Sequence, residues 1–214
     1  SDNLLYGCYL VSLFQYPELE FSHIETSFNV VKRDLWLEMN NRLTPLEKVH
    51  VLNHILFNVY KYHGVRSNPA AVQNYFINNL LDTKKGNQYS LVMLYASLAQ
   101  SVGFPIYGLK IPNNYLLAYH DADLAKYAHD DLFEAVFYIN PYNSGNVFGP
   151  SDLTKMFQQY NIPIKDEFYH PSGNVFFIMQ IFNALQLSYK NLGYTDKVNK
   201  IESIIRFINK ELRQ

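Results

Sequence analysis

The clearest pattern along the chain is a run of apolar residues at helical spacing near its centre. These residues recur three or four positions apart and would lie on one face of a helix. They are Leu91, Leu94, Tyr95, Leu98 and Val102. Gly86 before the run and Gly103 after it supply turns. The pattern therefore predicts a buried helix within KKGNQYSLVMLYASLAQSVGFP, from Lys84 to Pro105.

The chain before this helix is also predicted to be helical, over residues 1–103 as a whole. An early break falls at YPELE, Tyr16 to Glu20. The best-marked helix start is TPLE, Thr44 to Glu47. It places Thr at the N-cap, Pro at the first helical position and Glu where a capping box requires it. A further helix is predicted from Ala70 to Leu81.

After Pro105 the pattern changes from helical to extended. Three segments are rich in the aromatic and β-branched residues that strands favour. They are IYGLKI (Ile106 to Ile111), YLLAYH (Tyr115 to His120) and EAVFYI (Glu134 to Ile139). We predict a strand-rich region over 104–145, a short helix over 151–160 and then a linker-like segment from Asn161 to Gly173.

Two helices are predicted to end the chain. The first carries an apolar stripe from Val175 to Tyr189, and the second carries one from Val198 to Leu212. The tight turn NLGYTDK separates them, so that the two stripes bury each other in an αα-hairpin. The sequence therefore predicts an α+β domain over residues 1–162 and a helical hairpin over 163–214 that packs on it.

Composition favours a compact protein with an aromatic core. The 214 residues include 18 Tyr and 15 Phe, and 17% are charged, which is unlike a disordered chain. The net charge of −1 argues against nucleic acid or an anionic membrane as a partner. The single cysteine, Cys8, excludes an internal disulfide and a cysteine-cluster zinc site. The flanks of the apolar run Leu4 to Phe14 do not fit a signal peptide, so we predict a cytoplasmic protein.

Four segments carry a resemblance to a known family. They are LFQYPELE (13–20), PLEKVHVLNHILF (45–57), KKGNQYSLVMLYASLAQSVGFPIYGLKIPNNYLLAY (84–119) and YINPYNSG (138–145). In this order they resemble the transglutaminase-like superfamily, relatives of papain-type cysteine proteases, and most closely its bacterial SirB-type branch. The closing hairpin resembles the tetratricopeptide-like unit that often follows that core. The resemblance implies a papain/transglutaminase-like core, with N-terminal helices packed on a small antiparallel sheet, followed by the C-terminal αα-hairpin.

The family pattern implies a catalytic triad of Cys, His and Asp. In such a triad the helix N-terminus and a protonated His stabilise the thiolate. Counting back fifteen residues from Gly103, as the family spacing requires, places the nucleophile position at Gln88. The His of a SirB-type GHFL-like motif corresponds to Asn114, and the Asp of a DPFNGG-like turn corresponds to Asn140. The SirB-type branch often lacks the cysteine, and here all three positions hold amides.

An amide is neither a nucleophile nor a general base at neutral pH, because the lone pair of its nitrogen is delocalised. It can still donate and accept hydrogen bonds. The resemblance therefore implies a noncatalytic pseudoenzyme without a cofactor, which binds a peptide, a protein partner or a small ligand in the old active-site cleft. Besides the three amides, the cleft candidates are Tyr89, Ser90, Tyr107 and Tyr142.

Two other functions remain open from the residues alone. Ser90 would serve a hydrolase or acyl-transferase if His120 or His129 lay beside it as a base. A divalent metal would find imidazole and carboxylate ligands in the segment HDADLAKYAHDD. The candidate ligands there are His120, Asp121, Asp123 and His129. His50 and His54 are also four residues apart, but HVLNH lacks the glutamate of a zincin motif.

Overall fold

A helix-rich first half and a five-stranded sheet make up the fold. The computed structural model describes residues 3–111, 115–120 and 135–212. Its α-helices are α1 (Leu4–Leu13), α2 (Phe21–Glu38), α3 (Pro45–Asn53), α4 (Ile77–Thr83), α5 (Gln88–Ser101), α6 (Pro150–Gln159), α7 (Asn174–Asn191) and α8 (Thr195–Glu211). Its strands are β1 (His63–Gly64), β2 (Lys85–Gly86), β3 (Ile106–Leu109), β4 (Leu117–His120), β5 (Ala135–Asn140), β6 (Asn146–Phe148) and β7 (Pro171–Ser172).

The strands form two sheets. The larger has the order β6-β5-β4-β3-β7, and each pair of neighbours in it is antiparallel. The smaller is the parallel pair of β1 and β2. The predicted combination of N-terminal helices with a small antiparallel sheet is thus confirmed. One hydrophobic cluster runs through α1, α2, α4, α5 and α7, and a second lies under α6.

The start of α3 has the predicted capping box. The Thr44 hydroxyl accepts a hydrogen bond from the Glu47 backbone N–H, and the Glu47 carboxylate accepts one from the Thr44 N–H at 2.8 Å. At its other end α3 continues directly into a π-helical segment, His54–Val59. A π-helical turn of this kind is a local widening of an α-helix.

Two predicted segments differ from the structure. The helix expected from Ala70 to Leu81 is instead a 3-10 turn, Val72–Tyr75, followed by α4, because Phe76 between them is extended (φ −93°, ψ 133°). The segment expected to be a linker, Asn161 to Gly173, contributes β7 to the sheet, and the Ser172 hydroxyl donates to the Gly108 carbonyl at 2.9 Å.

The predicted C-terminal helices are present and pack on the rest of the fold. α7 lies against α1, where the Tyr189 hydroxyl donates to the Gln15 side chain at 2.7 Å. It also lies against β3, where the ring of Phe177 covers the backbone of Gly108. The division into domains at residue 162 stays a prediction. Among the described residues, no helix combines the length and apolar character needed to cross a membrane.

Candidate functional site

The N-terminus of α5 is built by the sequence GNQYS. Asn87 is the N-cap, and its side-chain oxygen accepts hydrogen bonds from the backbone N–H groups of Tyr89 and Ser90 at 3.0 and 3.2 Å. Its amide group donates to the carbonyl of Pro69 at 3.3 Å. Gly86 is required just before the cap, because a Cβ there would lie 2.3 Å from the Ser90 hydroxyl. Gln88 is the first residue of the helix and is half-buried.

Ser90 has a structural role in this turn. Its hydroxyl donates to the carbonyl of Asn74 at 2.7 Å, and the residue is only 1% exposed. His120 lies elsewhere, since its backbone N–H donates to the carbonyl of Pro105, beyond the C-terminal end of α5. The axial distance from Ser90 to Ser101 is about 16 Å. The structure therefore does not bring Ser90 and His120 together, and this alternative catalytic pair is wrong.

A cluster of tyrosines covers the N-terminal end of α5. The ring centroid of Tyr89 lies 3.9 Å from that of Tyr115 and 5.1 Å from that of Tyr75. The Tyr75 hydroxyl accepts a hydrogen bond from Ser188 of α7 at 3.1 Å. Tyr115 is 8% exposed. Aromatic rings therefore pack around Tyr89, the residue after Gln88.

These hydroxyls are held in their neutral form. Burial raises the pKa of Tyr89, and hydrogen bonding and charge interaction with Tyr115 add to the rise, while the neighbouring Gln88 amide opposes it. Burial also raises the pKa of Tyr115 and of Tyr75. A neutral phenol donates and accepts hydrogen bonds but is a poor nucleophile and base. The cluster is thus suited to packing and recognition.

Asn140 lies at the same end of the sheet as this cluster. It follows Ile139, which pairs with Leu117 of β4, and Tyr115 lies two residues before Leu117. The Asn140 side-chain oxygen accepts a hydrogen bond from the Asn143 N–H at 3.2 Å, which caps the turn NPYNSG. No hydrogen bond joins Gln88 to Asn140 in the described part of the chain. Asn114, the third amide, lies outside the described residues.

Contacts on two sides hold this turn in place. The Tyr142 hydroxyl donates to the carbonyl of Val65 at 2.6 Å, and its ring lies over Gly64, where a Cβ would come within 2.6 Å of it. On the other side, the amide group of Asn53 donates to the carbonyl of Gly145 at 2.8 Å. The turn is therefore fixed both to the smaller sheet and to α3.

An open groove of ≈ 900 Å³ lies between the smaller sheet and the turn. Its described lining consists of His63, Gly64, Val65, Arg66, Ser67, Lys85, Asn140, Tyr142, Asn143 and Ser144. Two of the predicted cleft residues, Asn140 and Tyr142, line it. Gln88 is not part of that lining, although Lys85, three residues earlier, is.

Tyr107 lies outside this region. It pairs with Ala118 in the middle of the sheet and lines a separate hollow with Gln100 and Gly103, at the C-terminal end of α5. The prediction that Tyr107 flanks Gln88 is therefore wrong. Helix α5 has 14 residues, so its two ends are about 20 Å apart.

Three of the four predicted metal ligands fall outside the residues that the structure describes. Asp121, Asp123 and His129 lie outside the described residues, and His120 ends β4. Over residues 3–111, 115–120 and 135–212, no three side chains of His, Cys, Asp and Glu are grouped as a metal site requires. The proposal of a metal at this segment stays a prediction.

Sequence reasoning missed two parts of the site. One is Asn53, which reaches the turn through a contact across 92 positions of sequence. The other is the pair of cations, Arg66 and Lys85, that line the groove. The basic residues of HGVRS were a visible signal, but nothing in the sequence placed this loop beside Lys85.

Residues 22–183 match the family model of the transglutaminase-like superfamily. Two curated relatives are UPF0162 proteins of Xylella fastidiosa, from strains Temecula1 and 9a5c. Each is 23% identical over 145 residues, which is 67% of this chain and 47% of the relative. The chain thus spans about half the length of the curated relatives it matches. No solved structure matches the chain significantly.

Proposed function

Because the chain belongs to the transglutaminase-like superfamily, we propose that it is a noncatalytic member that binds a peptide through the groove beside Asn140. The observation that carries this proposal is the chemistry at the start of α5 and the end of β5. Gln88 opens the helix and Asn140 ends the strand, and neither side chain can attack a carbonyl or take up a proton at neutral pH.

Nearby hydroxyls do not offer a substitute nucleophile. The Ser90 hydroxyl is buried and donates to the Asn74 carbonyl. The Tyr89 hydroxyl is kept protonated by burial, which raises its pKa. Nucleophilic catalysis by a hydroxyl needs an adjacent base. In the described part of the chain the environment of α5 therefore favours binding over covalent chemistry.

The binding role is supported by the shape of the groove. Its walls are the smaller sheet and the NPYNSG turn, and the hydrogen bond from Tyr142 to Val65 joins them. A site whose walls are already fixed loses little conformational entropy on binding. Exposed polar side chains from Ser67 and Asn143 can complement the main chain of an extended peptide.

A displayed library of random peptides tests the proposal. We expect the wild-type protein to enrich a set of peptides and Ser67→Trp to lose them, because the indole would fill the groove from an exposed position without changing charge. Ser203→Trp, at an exposed position of α8, makes the same exchange away from the groove; it is the matched control and should keep them. If the groove variant and the control variant enrich the same peptides equally, the peptides bind outside the groove. Release of ammonia or hydrolysis of peptide amides by the wild type would contradict the noncatalytic role.

A thiol placed at position 88 tests the correspondence with the family nucleophile. We expect Gln88→Cys to have a thiol pKa below the ordinary value of about 8.5, because the N-terminus of α5 stabilises a thiolate. The rate of alkylation by iodoacetamide as a function of pH measures this. Cys8 does not interfere, since it is 3% exposed and burial raises its pKa to about 12.

Leu10→Cys supplies the comparison for this measurement. It places a thiol at an exposed position inside α1, away from a helix N-terminus and with no charged residue within four positions of the sequence. At pH 7 the thiol at position 88 should react about three to ten times faster, because a lower pKa raises the thiolate fraction. A pKa equal to or above that of the Leu10→Cys thiol would remove the support for Gln88 as the nucleophile position.

A further inference from the structure

We infer that the groove beside Asn140 selects acidic peptide segments, whose carboxylates pair with Arg66 and Lys85. This inference rests on the proposed binding function and adds the chemical class of the ligand. Three of the described lining residues are basic: His63, Arg66 and Lys85. None of the described lining residues is Asp or Glu. The chain as a whole has a net charge of −1, so this excess of positive charge is local.

Arg66 and Lys85 are unpaired within the part of the chain that the structure describes. Neither the Arg66 guanidinium nor the Lys85 ammonium makes a hydrogen bond or ion pair within residues 3–111, 115–120 and 135–212. Both residues are exposed. Other surface cations differ, since Lys155 and Arg206 lie within ion-pair distance of carboxylates on their own helices. The groove therefore presents two cations that a ligand can neutralise.

The Asn140 side chain offers hydrogen-bond donors to a ligand in the groove. Asn140 already uses its side-chain oxygen to accept from Asn143, so its amide N–H groups remain to donate to a ligand. The Nδ1 atom of His63 lies 2.9 Å from the carbonyl of Lys61, which can only accept, so Nδ1 carries a proton. Nε2 of a neutral His63 ring is then an acceptor, so His63 offers no donor to a carboxylate in this form. Donors beside cations complement the carboxylate and carbonyl oxygens of an acidic peptide.

The size of the groove favours a peptide over a single small anion. At ≈ 900 Å³ it is near the upper end for small-molecule pockets. Its two cations come from different segments, Arg66 from the loop after β1 and Lys85 from β2. Single-stranded nucleic acid would need aromatic faces on which bases stack. Tyr142, the tyrosine of the described lining, is instead packed on Gly64 and held by Val65.

Fluorescence anisotropy with labelled hexapeptides tests the inference. We expect hexaglutamate to bind the wild-type protein more tightly than hexaglutamine or hexalysine, and to bind more weakly as salt is raised. Arg66→Glu with Lys85→Glu should weaken hexaglutamate binding by about ten- to twentyfold, since an exposed ion pair contributes up to about a factor of five. The control, Lys200→Glu with Lys210→Glu, makes the same change in net charge on exposed α8 and should alter binding by less than about twofold.

Four other results would overturn the inference, and each can be told apart from a failure of the proposed function. Equal loss of hexaglutamate binding in both double variants would overturn the inference, since net charge alone would explain it. Binding of inorganic phosphate without hexaglutamate would also overturn it and identify a small-anion site. Preference for hexaglutamine that Ser67→Trp abolishes would overturn the acidic selectivity and leave the proposed function intact. If none of the hexapeptides binds, the inference fails, and the random library decides the proposed function separately. Thermal melts of each variant verify that it is folded.

Discussion

Replacing Gly108 with alanine is expected to destabilise the protein by about 3 kcal/mol, at the upper end of what overpacking of a core costs. A Cβ at this position would lie 1.7 Å from one ring carbon of Phe177 and 2.2 Å from another. Phe177 is 3% exposed and belongs to the main hydrophobic cluster. Because interiors are closely packed, the ring cannot move without displacing its neighbours. Either α7 must shift or β3 must bend.

Urea unfolding of the variant and wild type measures this effect. Gly149→Ala is the matched control, because a Cβ there meets no atom within 4 Å. Gly149 is an N-cap, so we expect the control to lose no more than about 1 kcal/mol. Adding Phe177→Leu to Gly108→Ala should recover part of the loss, since contacting sites are not additive. Unfolding midpoints that coincide for Gly108→Ala and Gly149→Ala would contradict the packing of α7 on β3.

Most helices of this fold and the three central strands of the larger sheet, β3, β4 and β5, were predictable because their signals are local. The stripe from Leu91 to Val102 follows from helical spacing, and the capping box of Thr44 and Glu47 follows from four consecutive residues. β7 was not predictable in this way. It has two residues, one of them Pro171, and it exists because Ser172 reaches Gly108 across 64 positions of sequence. Such pairing is decided by tertiary contacts that a short segment does not reveal.

The candidate site likewise has parts that follow from local sequence and parts that depend on tertiary contacts. The position of Gln88 at the start of α5 and that of Asn140 at the end of β5 follow from motifs that are continuous in sequence. The position of Tyr107 was predicted wrongly, because the sequence does not show which end of a strand faces the N-terminus of α5. Tyr107 lies near the C-terminal end of that helix instead. The groove depends on where a loop, a strand and a turn converge, so its cations became apparent only in three dimensions.

Replacing Asn53 with alanine is expected to destabilise the protein by about 3 kcal/mol and to loosen the NPYNSG turn. The Asn53 side chain accepts a hydrogen bond from the Tyr95 hydroxyl at 2.9 Å and donates to the Gly145 carbonyl at 2.8 Å. Tyr95 is fully buried, and burial raises its pKa, so the hydroxyl stays a neutral donor. Leaving a buried polar group unpaired costs about 1–3 kcal/mol, and here two groups lose their partner.

A double-mutant cycle separates this contribution from the loss of side-chain volume. Tyr95→Phe removes the hydroxyl while keeping the ring, and we expect a coupling of about 1 kcal/mol or more with Asn53→Ala in urea unfolding. Asn58→Ala, an exposed asparagine on the same helical segment, should change stability by less than about 0.5 kcal/mol. Additive effects of Asn53→Ala and Tyr95→Phe would contradict the hydrogen bond between them.

The Asn53→Ala variant also tests whether the contact between Asn53 and the turn affects ligand binding in the groove. Asn143 and Ser144 line the groove and directly precede Gly145, whose carbonyl Asn53 holds. A turn released from α3 has more conformations to lose when a ligand binds, so Asn53→Ala should weaken peptide binding even at temperatures where the protein remains folded. Asn58→Ala should leave binding unchanged. Unaltered affinity in Asn53→Ala would mean that the contacts of Tyr142 with Gly64 and Val65 are sufficient to keep the turn in place.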